Sequence, residues 1–372
     1  MSGEETQVDS AAQLRERVRG LEAVPPIELE QRLLELGYKG QERARQALAL
    51  ACYRHLRRLR ELYLDGTAPA RLGPRQNLLL IGPTGCGKSF LVETLFREIA
   101  KVPTAVVDAT TLTEVGYVGS EVAEIPGRLI DAAGGDVAWA QAGMILLDEV
   151  DKLAGARSNA RFAGEGTTKD VSGYGVQRGL LALLSSGASA YAPSYRAKPI
   201  VFDLSAITFV ACGAFSGVRP SREAIRKPAG FGGGRDDSPS AEPSAIAPAE
   251  IERFGFLPEL IGRFTRIIEF EPLSALTLRA ILSDDLIGSY QKEFAREGVE
   301  LRVDEGALDQ VVADAVQRGH GARGLNACLA AALEDSAFRC FGLRREGAVV
   351  LRASQGRLVA EYSEERARAL TA

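Results

Sequence analysis

Residues 77 to 100 constrain this chain more than any other stretch. Asn77–Ile81, apolar after its first residue, reads as a buried strand, and Lys88–Ala100 has the composition of a helix. Between them stands Gly82-Pro83-Thr84-Gly85-Cys86-Gly87-Lys88-Ser89, which fits G-x-x-x-x-G-K-[ST]. The glycines let backbone N–H groups wrap an anion, and the helix that begins near Gly87 points its positive end at the same place. In such a loop Lys88 reaches the β- and γ-phosphates, and the Ser89 hydroxyl ligates Mg²⁺. The segment reads as a phosphate-binding loop for a nucleoside triphosphate.

A second segment agrees with the first. Met144-Ile145-Leu146-Leu147 is a buried strand that ends in two acids, Asp148 and Glu149. In a parallel sheet, acids at a carboxyl end face the ligand crevice. Asp148 is expected to hold the Mg²⁺ shell, and Glu149 to activate the attacking water as general base. Further strands are expected at Ala105–Asp108 and Ile207–Ala211, with helices at Ile27–Leu36, Gln41–Tyr63 and Gly175–Leu184. Strands alternating with helices imply an α/β fold, a parallel sheet flanked by helices. After Pro272 the reading changes to three helices, Ala275–Glu297, Asp304–Arg318 and Ala322–Phe338. A closing hairpin follows, Ala348–Arg352 with Leu358–Tyr362.

Composition excludes several classes. The 372 residues are 46% hydrophobic and 25% charged, enough apolar material for a sizeable core. A net charge of −4 gives no reason to expect nucleic acid or an anionic membrane as partner. The basic stretch Arg54-His55-Leu56-Arg57-Arg58-Leu59-Arg60 reads as a solvated helix face. No apolar run is long enough to span a bilayer, and the polar start does not resemble a secretory signal. Five scattered cysteines suggest reduced thiols and a cytoplasmic location. With only His55 and His320 as histidines, a zinc site is not expected.

The motifs together resemble ClpX, the AAA+ unfoldase of the Clp protease. The resemblance rests on the phosphate loop, on Gly40-Gln41-Glu42, on Asp108 through Gly119 and on Leu147-Asp148-Glu149-Val150-Asp151-Lys152. It rests further on Lys169 through Gly173, on Gly255-Phe256-Leu257-Pro258-Glu259-Leu260-Ile261-Gly262-Arg263, and on Gly321-Ala322-Arg323-Gly324-Leu325. It spans about residues 25–340. It implies a P-loop AAA+ module: a large ATP-binding domain at 25–271 and a smaller, mainly helical C-terminal domain at 272–372, while the polar, charged residues 1–24 before it read as a loose tail with some helix. It implies ATP and Mg²⁺ as cofactors, with a nucleotide pocket formed by Tyr38, Lys39, Pro83, Thr84, Gly85, Cys86, Gly87, Lys88, Ser89, Phe90 and Asp148. Arg263 matches the arginine finger that reaches a neighbouring subunit's γ-phosphate, and Arg323 the second sensor arginine. A homohexameric ring is implied, which threads unfolded or tagged protein substrates through an axial pore. Tyr117 and Val118, in Gly116-Tyr117-Val118-Gly119, match the loop that grips the substrate there. The Gly- and Ser-rich Ala154–Gly175 matches a second pore loop.

The chain also departs from the family pattern. The family usually opens with a cysteine-rich zinc-binding domain, whereas no cysteine precedes Cys52 here. Docking to a Clp-type peptidase uses an aliphatic-Gly-Phe tripeptide. The Gly- and Pro-rich 228–248 segment, which reads as a disordered loop, offers Ala229-Gly230-Phe231 instead. The pore-entrance loop is shortened to Tyr195-Arg196-Ala197-Lys198-Pro199. Tyr174 replaces an expected acid, and Cys212 stands where some relatives place a polar sensor residue. Three other functions stay open on the sequence: a remodelling chaperone without a protease, a non-hydrolysing nucleotide-binding regulator and a nucleic-acid motor.

Overall fold

The computed structural model describes residues 2–113, 120–154, 173–191, 200–218, 246–343 and 347–363. Tyr117, Val118, the centre of the 154–175 loop, Tyr195–Pro199 and Ala229-Gly230-Phe231 lie outside the described residues. The chain divides into two compact units. The first comprises 1–32, 43–82 and 88–270; the second comprises 33–42, 83–87 and 271–372.

A five-stranded parallel sheet organises the first unit. Its spatial order is Thr104–Asp108, Met144–Asp148, Thr208–Gly213, Leu78–Ile81 and Arg266–Glu269. Leu78–Ile81 and Thr208–Gly213 are buried at every position, because helices cover both faces of central parallel strands. The register sets Leu78 beside Val210 and Arg266, and Asp108 beside Asp148. The chain enters the sheet at Leu78 and runs to the Thr104–Asp108 edge. It then works back to Leu78 and crosses to the opposite edge. The sheet therefore has a switch point, and the carboxyl ends beside it form a crevice.

Several expectations shift by one or two residues. The strand expected at Ala105 begins at Thr104, that expected at Ile207 begins at Thr208, and the helix expected at Gly175–Leu184 spans Gly173–Ser185. The helix read over Lys88–Ala100 is α-helical to Glu93 and continues as a π-helical turn, Thr94–Ile99. Arg266–Glu269 was not legible as a strand: two of its four residues are charged, as suits a sheet edge.

The N-terminal stretch is more ordered than its composition suggests. The polar stretch, read as a tail with some helix, is helical from Ser2 to Gly20. Leu14 and Val18 are one helical turn apart, so they share a face, and both are buried. Arg17 forms an ion pair with Asp136 at 3.3 Å and lies over the Trp139 ring at 5.5 Å. An apolar face this narrow gives little periodic signal, which is why the sequence reads as tail.

The second unit is mainly helical around a small sheet. Ala275–Ile281, a π-helical turn at Leu282–Leu286 and Ile287–Arg296 together occupy the first helix read from sequence. Glu305–Arg318 is capped at one end by Asp304, which accepts from the Ala307 amide at 2.7 Å, and at the other by Gly319 at φ 69°. Gly321–Cys340 follows. Gly347–Ser354 and Arg357–Ser363 form the anticipated hairpin, and a strand not foreseen, Val299–Val303, joins Gly347–Ser354 in parallel. Phe294, Val311, Leu325, Leu329 and Val349 form the core. No helix among the described residues is long and apolar enough to cross a membrane.

Candidate functional site

In the first unit the site is built at the carboxyl end of Met144–Asp148. The Ser89 hydroxyl donates to Asp148 Oδ2 at 2.6 Å. The Cys212 thiol and the Glu149 amide both donate to Asp148 Oδ1, at 2.9 and 2.8 Å. Each donor comes from a different element: the helix after the phosphate loop, the neighbouring strand, and the turn itself. Burial pushes the Asp148 carboxyl up, but the bonds from Cys212, Ser89 and the Glu149 amide, with the charge of Lys88, outweigh it and hold the group below its ordinary value. Burial beside this carboxylate pushes the Cys212 thiol up, so it stays a protonated donor. Lys88 is buried, and its ammonium donates to the Gly82 carbonyl at 2.7 Å.

Glu149 sits in the left-handed region at φ 55°. This sharp turn starts the 3₁₀ helix Val150–Leu153 and separates Glu149 from the strand direction of Asp148. The turn is fastened by buried Asp151, whose Oδ1 accepts from the Ala214 amide at 3.2 Å. The hydroxyl of Ser89 and the carboxylate of Asp148 converge as hard oxygen donors, the set that Mg²⁺ prefers.

The second unit contains the loop residues Pro83–Gly87. Gly85 and Gly87 have φ of 75° and 92°, a region that L side chains rarely adopt. A Cβ on Gly85 would lie 2.1 Å from the His320 carbonyl oxygen, and one on Gly87 2.9 Å from the Tyr38 hydroxyl. Tyr38 donates to the Gly87 carbonyl at 3.2 Å, and the Ala322 amide donates to the Gly85 carbonyl at 3.0 Å. Gln41 Nε2 reaches the carbonyls of Glu271, at 2.6 Å, and Cys86, at 3.4 Å. Lys39 pairs with Asp284 and Asp285 at 3.1 and 3.3 Å. Burial works against its charge, but the two carboxylates outweigh that and raise the ammonium above its ordinary value.

Of the remaining candidates, Thr84 and Phe90 are exposed, Pro83 is half-buried and Cys86 is buried. Arg323 is exposed one residue beyond Ala322, beside the loop contact. Arg263 is exposed after the short helix Pro258–Ile261. Among the described residues neither arginine has a carboxylate within ion-pair distance. Sequence reasoning missed four polar groups: Asn77, Asp151 and Gln177, all buried, and the loop-binding Gln41. Asn77 and Gln177 look ordinary in sequence; Gln41 and Asp151 were visible only as parts of Gly40-Gln41-Glu42 and Leu147-Asp148-Glu149-Val150-Asp151-Lys152.

Residues 73–267 match the model of the AAA domain (Cdc48 subfamily), and residues 273–340 match that of the C-terminal D2-small domain of ClpB protein. The ATP-dependent Clp protease ATP-binding subunit ClpX of Azotobacter vinelandii is 39% identical over 332 residues, covering 84% of this chain and 73% of the relative. The chain belongs to the ClpX family of AAA+ ATPases. ClpX 3 of Methylococcus capsulatus is also 39% identical, over 82% of this chain and 74% of its own. ClpX of Porphyromonas gingivalis is 34% identical over 84% and 77%. As a member of the ClpX family, the chain binds nucleotide and hydrolyses ATP.

Proposed function

We propose that this protein is an ATP-driven unfoldase that works as a homohexameric ring. The observation that carries the reading is the state of Arg263, exposed and without a carboxylate partner among the described residues. A surface guanidinium presented by the same unit as Lys88, Ser89, Asp148 and Glu149 suits an arginine finger for the adjoining copy. Within each active site, Lys88 and the loop amides hold the phosphates. Ser89 and Asp148 hold Mg²⁺, which neutralises the charge that develops on the phosphates when it is bound. Glu149 orients the attacking water and takes its proton. Arg323 bears on the nucleotide from beside the loop. Tyr38, Lys39, Thr84, Cys86 and Phe90 complete the nucleotide's surroundings.

Hydrolysis drives Tyr117 and Val118 along a pore and draws in unfolded or tagged proteins, which a Clp-type peptidase receives through the 228–248 loop. A second reading has one observation in its favour: Ala229 stands where a large aliphatic anchor is expected. On that reading the ring remodels proteins without a peptidase. Mixing the protein with a Clp peptidase and a tagged substrate separates the two, by degradation or by unfolding alone.

The ring itself is tested by complementation. Arg263→Ala and Glu149→Gln are each expected to abolish most ATPase activity. Mixed, they create interfaces where an intact Glu149 meets an intact Arg263, and activity should return. Failure of any mixture to recover activity overturns the shared site.

A further inference from the structure

The segment that carries Arg263 is held by two buried amide side chains. Gln177, 0% exposed, donates through Nε2 to the Leu153 carbonyl at 2.8 Å and the Gly255 carbonyl at 3.1 Å. Its Oε1 accepts from the Leu257 amide at 2.8 Å. One side chain thus fixes both ends of the Gly255–Leu257 turn, which leads directly into Pro258–Ile261 and Arg263. The same side chain holds Leu153, the last residue of the 3₁₀ helix that begins after Glu149.

Asn77, 4% exposed, grips the other side. Its Nδ2 donates to the Arg263 carbonyl at 3.2 Å, and its own carbonyl accepts from the amide and hydroxyl of Thr265 at 2.7 and 2.8 Å. Its Oδ1 is buried with no partner. An unsatisfied buried amide oxygen is unfavourable, and a leucine would suit the start of an apolar strand better. Asn77 also heads Leu78–Ile81, the strand that runs into Gly82 and the phosphate loop.

We propose that Gln177 and Asn77 are positioning residues that set Arg263 and tie it to the nucleotide elements of its own subunit. The inference rests on the reading of Arg263 as acting on a neighbour's nucleotide. Gln177 links Arg263 to the Glu149 turn, and Asn77 links it to the strand behind the phosphate loop. Asn77 bonds the Arg263 carbonyl itself, and Gln177 bonds the turn that leads into the helix before Arg263, so a shift at either nucleotide element is expected to move the guanidinium offered to the next copy. A cycle of variants measures the coupling.

The test uses the full chain, with Gln177→Met and Asn77→Leu, which keep side-chain volume and remove the bonds. Each is expected to lower kcat for Mg-ATP at least tenfold and to leave the affinity for a fluorescent ADP analogue within twofold. Combined with Arg263→Ala, neither should lower kcat below that of Arg263→Ala alone, because both act through that residue. Multiplied losses in the double variants overturn the proposal while the Arg263 reading stands. A normal kcat for Arg263→Ala overturns the reading and the proposal together. Should either variant fail to fold, amide exchange of the unaltered protein decides the matter. Exchange at Leu257 and Thr265 should slow when ADP is added, and unchanged exchange overturns the coupling.

Discussion

The Ser89 hydroxyl donates to Asp148 at 2.6 Å across 59 positions of sequence. Two motifs recognised separately are thus one constellation, joined by the parallel pairing of the strands around them. Asp148→Asn removes the carboxylate charge that would attract a cation and keeps the side chain's shape. The Mg²⁺ concentration for half-maximal ATPase rate should rise about 10–100-fold, the usual scale for a disturbed metal shell. Titrating Mg²⁺ at fixed ATP measures it.

Glu149→Gln keeps the size of the side chain and removes the carboxylate proposed as general base. Hydrolysis should fall about 10²–10⁴-fold, the ordinary worth of a positioned general base, with nucleotide affinity retained. Single-turnover kinetics beside an equilibrium binding assay separate the two effects. Equal rates for variant and parent would remove Glu149 from the mechanism.

Gly85→Ala should damage the loop itself. The added methyl would lie 2.1 Å from the His320 carbonyl oxygen, at a φ of 75°. Strain of this kind is of order 1–3 kcal/mol, and here the contact is with backbone that cannot swing away. Nucleotide affinity should fall at least tenfold, read by displacement of a fluorescent analogue.

His55 makes folding stability depend on pH. It is buried between the Ala142 carbonyl at 3.1 Å and the Thr208 hydroxyl at 3.0 Å, and packs edge-on to Phe96. Burial lowers its pKa from 6.5 to about 4, against a smaller opposing effect of the Ala142 bond. The folded state therefore binds the proton less readily than the unfolded one. Stability from this residue is complete above pH 6.5 and declines as pH falls toward 4. The loss is about 2 kcal/mol at pH 5. Urea unfolding at pH 7 and pH 5, with His55→Gln as comparison, should show a smaller pH effect in the variant.

Val18→Ala tests whether the N-terminal helix is docked. Val18 is fully buried, and the loss of two methyl groups should destabilise by roughly 1–2 kcal/mol. A loose tail would give no change. Urea midpoints at constant slope measure the difference.

The central strands and the phosphate loop were legible because composition and chemistry coincide there. Leu78–Ile81 is apolar on both faces, and Gly85 and Gly87 occupy conformations that only glycine enters easily. The Ser2–Gly20 helix was not legible, since Leu14 and Val18 are too few to make a stripe. Val299–Val303 was hidden by its partner, which lies far along the chain at Gly347–Ser354. In the site, Lys88, Asp148 and Glu149 announce themselves by pattern. Gln177 does not, because a glutamine within a helix looks like surface until its three backbone partners are seen.

Glu149 sits at φ 55°, where a residue with a side chain is disfavoured by roughly 1–2 kcal/mol relative to ordinary backbone. Glycine would relax that turn. The chain is therefore more comfortable without the carboxylate proposed as its general base than with it. A laboratory selection that rewards thermal robustness alone, with no demand for ATP turnover, should drift toward Glu149→Gly and return a sturdier protein that no longer runs.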